Sequence, residues 1–165
     1  MSLVIEDGSV VAGAQSYASV ENLKAYASLR RLTLPEKTEE MEALLIKAMD
    51  YIESFRDKFR GHKKNDDQAL QWPREHVYID NDYFDSGAIP VELKNAQCQL
   101  AFDAIGGDLQ ATGSGQQIIR QKVGPIETEY SDSGSSTVQR RFNKAEAFLK
   151  PLLKATFRTV SVTRS

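Results

Sequence analysis

Between Met41 and Phe59 apolar residues recur at steps of three and four: Met41, Leu44, Leu45, Ala48, Ile52, Phe55 and Phe59. That period puts all of them on one side of a helix, which must then be covered by other parts of the chain. Glu36, Glu39, Glu40 and Glu42 gather at its positive end, and Arg56, Lys58 and Arg60 at its negative end. Gly61 is the expected residue just past the C-cap. The cover has to come from further helices. Ser19 as N-cap, with Val20, Leu23, Tyr26 and Ala27 behind it, predicts a helix to about Leu32, stopped by Thr33-Leu34-Pro35. From about Val91 to Ile105 apolar side chains occupy nearly every face, so this helix should sit centrally, ended by Gly106-Gly107. Phe142, Ala145, Leu149, Leu152, Leu153 and Phe157 give a last helical face, interrupted at Pro151. The expected fold is mainly α: a small bundle of about four helices with a β-hairpin or extended arm, and extended N- and C-terminal segments.

The segments between helices sharpen that outline. The first 16 residues alternate short apolar runs with Gly8 and Gly13, and Val10-Val11 reads as a strand or extended arm. Residues 61–90 form a long connection, of a length that compact domains keep for function or contacts. Around Gly124-Pro125, a two-residue turn would pair Lys122 with Glu127 and Arg120 with Glu129, and Val123 with Ile126. Opposite charges and matched apolar pairs favour a hairpin, whose rival is one long arm kinked at Gly-Pro. Ser131 to Ser136 is a linker by composition, and Thr159 to Thr163 alternates like an edge strand. One domain is expected over 1–165, with a body at about 17–110, an arm at about 116–131, and a C-terminal helix and tail at about 138–165.

Composition excludes several classes. The chain has 165 residues, 21 Lys and Arg against 23 Asp and Glu, and a net charge of −2. That total gives no global mark of a nucleic-acid or membrane binder. The charge is unevenly placed: from Ser133 to Ser165 seven basic residues face Glu146 alone, giving +6 and leaving −8 for the rest. Cys98 is the single cysteine, so no intrachain disulfide forms, and on a central helix it should be buried and inert. Glu6 and Asp7 stand where a signal peptide would be basic, and no apolar run approaches the roughly 18 residues of a membrane span. A soluble, unprocessed, cytosolic chain is the expectation.

Chemistry-bearing motifs are sparse. Gly113-Ser114-Gly115 lacks the Lys-Ser/Thr ending of a phosphate loop. His62 and His76 lie fourteen positions apart with no second cysteine, which argues against a zinc site of the Cys/His kind and for a solvated helix end and a loop residue. Asp80-Asn81-Asp82 with Asp85 resembles a calcium loop only superficially, because glycine at the sixth position and glutamate at the twelfth are missing, so a solvated loop is expected. No catalytic, cofactor or metal residue emerges, and the chain is not expected to be an enzyme. In Trp72-Pro73-Arg74 the tryptophan is expected to anchor the loop in the core. The functional alternative has Arg74 stacking or pairing across a subunit boundary.

Several runs carry a family resemblance: Ser16-Tyr17-Ala18-Ser19-Val20; Ala48-Met49-Asp50-Tyr51-Ile52; Phe59-Arg60-Gly61; Gln68-Ala69-Leu70-Gln71-Trp72-Pro73-Arg74; Ile89-Pro90 with Ala96 and Leu100-Ala101 on the following helix; Lys122-Val123-Gly124-Pro125; and Leu149-Lys150-Pro151-Leu152-Leu153. The specific parts are the run from Phe59-Arg60-Gly61 through Gln68 to Arg74, and Lys122 to Pro125. From about Ser16 to Arg164 the chain resembles the DnaT-like single-stranded DNA-binding proteins of tailed phages and prophages. By genome context such proteins resemble head–tail connectors. The resemblance therefore implies a structural virion protein: an adaptor ring, of twelve copies as portals are, bound to the portal and to a further neck or tail-completion protein. DNA would pass through the channel without sequence-specific binding. The implied location is the virion neck, and the host cytoplasm during assembly, with no cofactor and no membrane.

On that reading Val123, Gly124 and Pro125 form the arm turn. Arg140, Arg141, Phe157, Arg158, Val160, Val162 and Arg164 are candidate portal or subunit contacts. Extended arms would add to neighbouring subunits, and an acidic body would let DNA slide. The alternative is single-stranded DNA binding in a phage replication module, through Arg56, Lys58, Arg60, Lys63 and Lys64 with Trp72 as a stacking platform.

Overall fold

Ser19 starts the first helix as its sequence predicts. In a computed structural model that describes residues 3–107, 109 and 142–154, the Ser19 hydroxyl accepts the Asn22 N–H, and the Asn22 side chain accepts the Ser19 N–H, closing a capping box. Helix α1 (Val20–Arg30) follows, burying Val20, Leu23, Tyr26 and Ala27. Arg31 stops it in the left-handed conformation at φ 53°, its N–H bonded back to Ala27 and Ser28.

Helix α2 (Thr38–Glu53) buries the expected face, Met41, Leu44, Leu45, Ala48 and Ile52 among it, but ends well before Gly61. The Ser54 hydroxyl donates to the Tyr51 carbonyl at 2.6 Å, an alternative to the helical ladder. Arg56–Lys58 then make a separate 3-10 turn. Arg56, Lys58 and Arg60 therefore do not neutralise the end of α2, whose last turn holds no basic residue, and Glu36 precedes its Lys37 N-cap.

Two small antiparallel pairs fill the long connection: β1 (His62–Lys63) with β2 (Arg74–Glu75), and β3 (Tyr78–Ile79) with β4 (Asp82–Tyr83). Gly61 serves this first pairing and not a helix C-terminus. At φ +65° it approaches β2 so closely that a Cβ would collide with the Glu75 carbonyl oxygen. The Asp80-Asn81 turn has positive φ at both residues, 53° and 73°, as a two-residue turn matching strand twist requires.

Helix α3 (Val91–Asp103) packs against α1, α2 and the short α4 (Asn143–Leu149), the central place its composition predicts. Pro151 falls in a 3-10 turn, Lys150–Leu152, after which Leu153 forms an isolated antiparallel bridge with Phe59. The described N-terminal residues are no free arm. Ile5 bridges Ser16 in parallel, and Glu6, 1% exposed, accepts the N–H groups of Gly8, Val10 and Val11. The fold is thus mainly α, four helices with two short strand pairs, and no helix among the described residues is long and apolar enough to cross a membrane. The Gly124-Pro125 hairpin or kink, the Ser131 to Ser136 linker, and residues 155–165 lie outside the described residues.

Candidate nucleic-acid interface

The Phe59–Leu153 bridge brings together two stretches more than ninety residues apart. Around it the Arg60 N–H bonds the Leu152 carbonyl at 3.0 Å, and the Lys154 N–H bonds the Lys58 carbonyl at 2.7 Å. Phe59 itself is fully buried, edge-on to Trp72 at 6.2 Å. Beside this seam lies a groove of about 550 Å³, lined by Phe55, Arg60, Lys150, Leu153 and Lys154 with Glu146 as its one carboxylate. That volume falls within the roughly 300–1,000 Å³ of small-ligand sites.

Charge in the groove is only partly spoken for. The Glu146 carboxylate accepts the Tyr51 hydroxyl at 3.2 Å, and burial together with that carboxylate pushes the Tyr51 phenol up to about 12. Arg60 spends its guanidinium on main chain: Nε donates to the Leu153 carbonyl at 2.8 Å, and another nitrogen to the Tyr78 carbonyl at 2.9 Å. Lys154 reaches the Asp57 carbonyl at 3.3 Å. Among the described residues no carboxylate forms an ion pair with Arg60, Lys150 or Lys154. Lys58 extends the cationic edge, its ammonium 5.0 Å from the centre of the Phe55 ring.

Arg60 joins the groove to an aromatic surface. Tyr78, whose carbonyl it holds, pairs across the β3–β4 hairpin with Tyr83, ring centres 5.7 Å apart and nearly perpendicular. Both are exposed, by 53% and 58%, unusually so for large aromatics among the described residues. Hydrophobic side chains presented this way offer faces on which bases can stack.

The residues singled out in the sequence separate into two groups. Arg56 and Lys58 are exposed, and Arg60 lines the groove. Lys63 and Lys64 bond the carbonyls of Gln68 and Gly8 and belong to the loop scaffold. Trp72 is 0% exposed, between Phe59 and Phe84, so it cannot be a stacking platform; it is the core anchor. Pro73 is buried with it, and Gln68, 5% exposed, donates to the Leu70 and Pro73 carbonyls while accepting the Asn65 N–H. Arg74 is buried too, donating to the carbonyls of Arg60, Gly61 and Gln71. Burial lowers its pKa, and at 6% exposure its guanidinium is turned into the chain's own loop and not outward to a subunit boundary. Cys98 is buried, its thiol pushed up to about 12 by desolvation.

Phe55, Lys150, Lys154, Tyr78 and Tyr83 were not singled out as a site by the sequence. Phe55 counted toward a continuous helical face, and the lysines toward a basic tail. The clue was Leu149 to Leu153 matching the family pattern together with Phe59-Arg60-Gly61, since both halves of the seam belong to it. Val123, Gly124 and Pro125, and the candidate contacts Arg140, Arg141, Phe157, Arg158, Val160, Val162 and Arg164, lie outside the described residues.

The family model described as "Putative DnaT-like ssDNA binding protein" matches residues 1–165. The chain belongs to that family. No curated protein and no solved structure matches it. Membership in the DnaT-like family corrects the connector reading of the sequence. The family is described by single-stranded DNA binding, so the head–tail adaptor, the portal-bound ring of twelve, the neck partner and the non-binding DNA conduit are all withdrawn in favour of the alternative.

Proposed function

We propose that this chain is a single-stranded DNA-binding module, acting by binding and not by catalysis, with the strand lying between the Phe55 groove and the Tyr78–Tyr83 hairpin. The observation that carries this is Arg60, which lines a groove shared with Lys150 and Lys154 and holds the carbonyl of an exposed tyrosine. Cations that track a backbone next to aromatic faces are what sequence-tolerant single-strand binding needs. Membership in the DnaT-like family supports the same reading.

Electrostatics gives the strand a direction across the site. Asp80 and Asp82 flank the tyrosines and repel phosphate, so phosphates sit toward Lys58, Lys150 and Lys154 while bases lie over Tyr78 and Tyr83. The overall charge of −2 keeps attraction local to this patch, so binding should be modest and salt-sensitive.

Fluorescence anisotropy of a labelled oligothymidylate, titrated at several salt concentrations, tests the proposal. Saturable binding is expected, weakening with salt at a slope of about −0.7 for each phosphate contacted, with duplex of the same length bound less well. A flat titration at low salt overturns it.

A further inference from the structure

We propose that His62, Glu75 and His76 form a binding site for a divalent transition-metal ion of the zinc or nickel class. No residue of the groove takes part, so this site stands or falls separately from single-strand binding.

The β1–β2 register places His62 directly opposite Glu75, with His62 Nε2 and Glu75 Oε2 3.6 Å apart. The next residue of a regular strand would point to the other face. His76 does not, because its backbone turns left-handed at φ 56°. Its ring instead stacks on His62, centres 4.8 Å apart and planes 25° from parallel. One donor atom from each of the three side chains thus lies within 4.8 Å of the other two. Histidines fourteen positions apart in sequence become neighbours through one pairing and one positive φ.

The donor set selects the ion. Two imidazoles and one carboxylate suit zinc, nickel and copper, and do not suit the all-oxygen shells of calcium or magnesium. Metal–ligand bonds of about 2.0–2.2 Å in a tetrahedron put donors about 3.4 Å apart. His62 and Glu75 are nearly at that spacing already. The remaining separation closes by side-chain rotation, which is cheap here because the His62 and Glu75 side chains are 62% and 37% exposed. Exposure also leaves a fourth position to water, so the ion would be held by three protein ligands. Bound there, it would clamp β1 to β2 and steady the loop 64–73 between them.

The test is calorimetric titration of untagged, chelator-stripped full-length protein with zinc chloride, repeated with nickel chloride, alongside thermal melts. One ion per chain and a raised melting midpoint are expected for the wild type. His62→Asn and His76→Asn should each weaken binding about tenfold or more, the loss expected on removing one ligand, and the double variant should abolish it. These side chains are exposed, so circular dichroism should show the variants folded. Absence of saturable binding overturns the site, as does binding that the double variant retains.

Discussion

Gln97 on α3 accepts the backbone N–H of Tyr17 through its side-chain oxygen, at 3.0 Å, deep in the core. The same oxygen takes the Ala18 N–H at 2.9 Å, and the amide nitrogen donates to the Ser16 hydroxyl and to the Leu45 carbonyl on α2. Every hydrogen-bonding position of the amide is filled. One side chain therefore fixes the N-terminal segment to two helices.

Replacing it should be costly. Gln97→Leu keeps the approximate volume but leaves the buried Tyr17 N–H without an acceptor, at a cost of about 1–3 kcal/mol, while the Ala18 N–H keeps only the Ser16 hydroxyl, at 3.2 Å. A loss of about 1–3 kcal/mol in urea unfolding is expected. A loss below about 0.5 kcal/mol, the level of neutral surface changes, would show that the network does not hold the segment.

In the groove, Lys150→Ala and Lys154→Ala should weaken oligonucleotide binding and each reduce the salt slope by about 0.7, the share of one phosphate contact. Lys24→Ala and Lys47→Ala, exposed on α1 and α2, serve as controls and should change neither. An equal effect of all four would mean that binding follows total charge and not the groove.

Tyr78→Ala and Tyr83→Ala should each cost binding about 1–3 kcal/mol, the worth of a base stacked on an aromatic ring. Their cost to folding should stay within about 1 kcal/mol, the scale of a cross-strand pair. Anisotropy for the first and thermal melts for the second separate the two effects. Affinity unchanged in the Tyr78–Tyr83 double variant would remove the hairpin from the site.

Glu53 predicts a pH effect with a definite sign. Its carboxylate accepts the Tyr17 hydroxyl at 3.1 Å and the Gln71 N–H at 3.2 Å, yet desolvation outweighs both and raises its pKa. The folded state then holds this proton more tightly than the unfolded state, whose glutamate titrates at about 4.3. Its contribution to stability is full below that pH and is lost as pH rises through the raised folded value. Glu53→Gln keeps an acceptor oxygen and removes the titration. Urea midpoints from about pH 4 to pH 7, spanning the carboxylate range, should show a flatter profile for the variant, and stability at pH 7 no lower than wild type. An unchanged slope would locate the pH dependence elsewhere.

The parts of the fold legible in the sequence are those set by local chemistry. Ser19 with Asn22 makes its cap within one turn, and the apolar circumference of α3 already requires a central place. The end of α2 was hidden because Phe55 and Phe59 continue the helical spacing, while the Ser54 hydroxyl and the Phe59–Leu153 bridge redirect the backbone. The two strand pairs were hidden by their length, two residues each, too short for alternation to show. Trp72 as core anchor could be read from its size. Arg74 could not, because three of its four acceptors are main-chain carbonyls, which carry no sequence signature, the fourth being the Gln71 side-chain oxygen. The groove depends on Lys150 and Lys154 meeting Phe55 and Arg60 across the whole chain, a coincidence that only tertiary structure creates.

The central position of α3 also has a consequence in time. Helices α1 and α2 pack chiefly against an element that begins 38 residues after Glu53, at Val91. At synthesis rates of roughly 5–20 residues per second, the apolar face of α2 waits about 2–8 s for its partner. Folding on the ribosome should therefore come late and all at once, and the nascent chain is most open to chaperones and proteases while Met41, Leu45 and Ile52 remain uncovered.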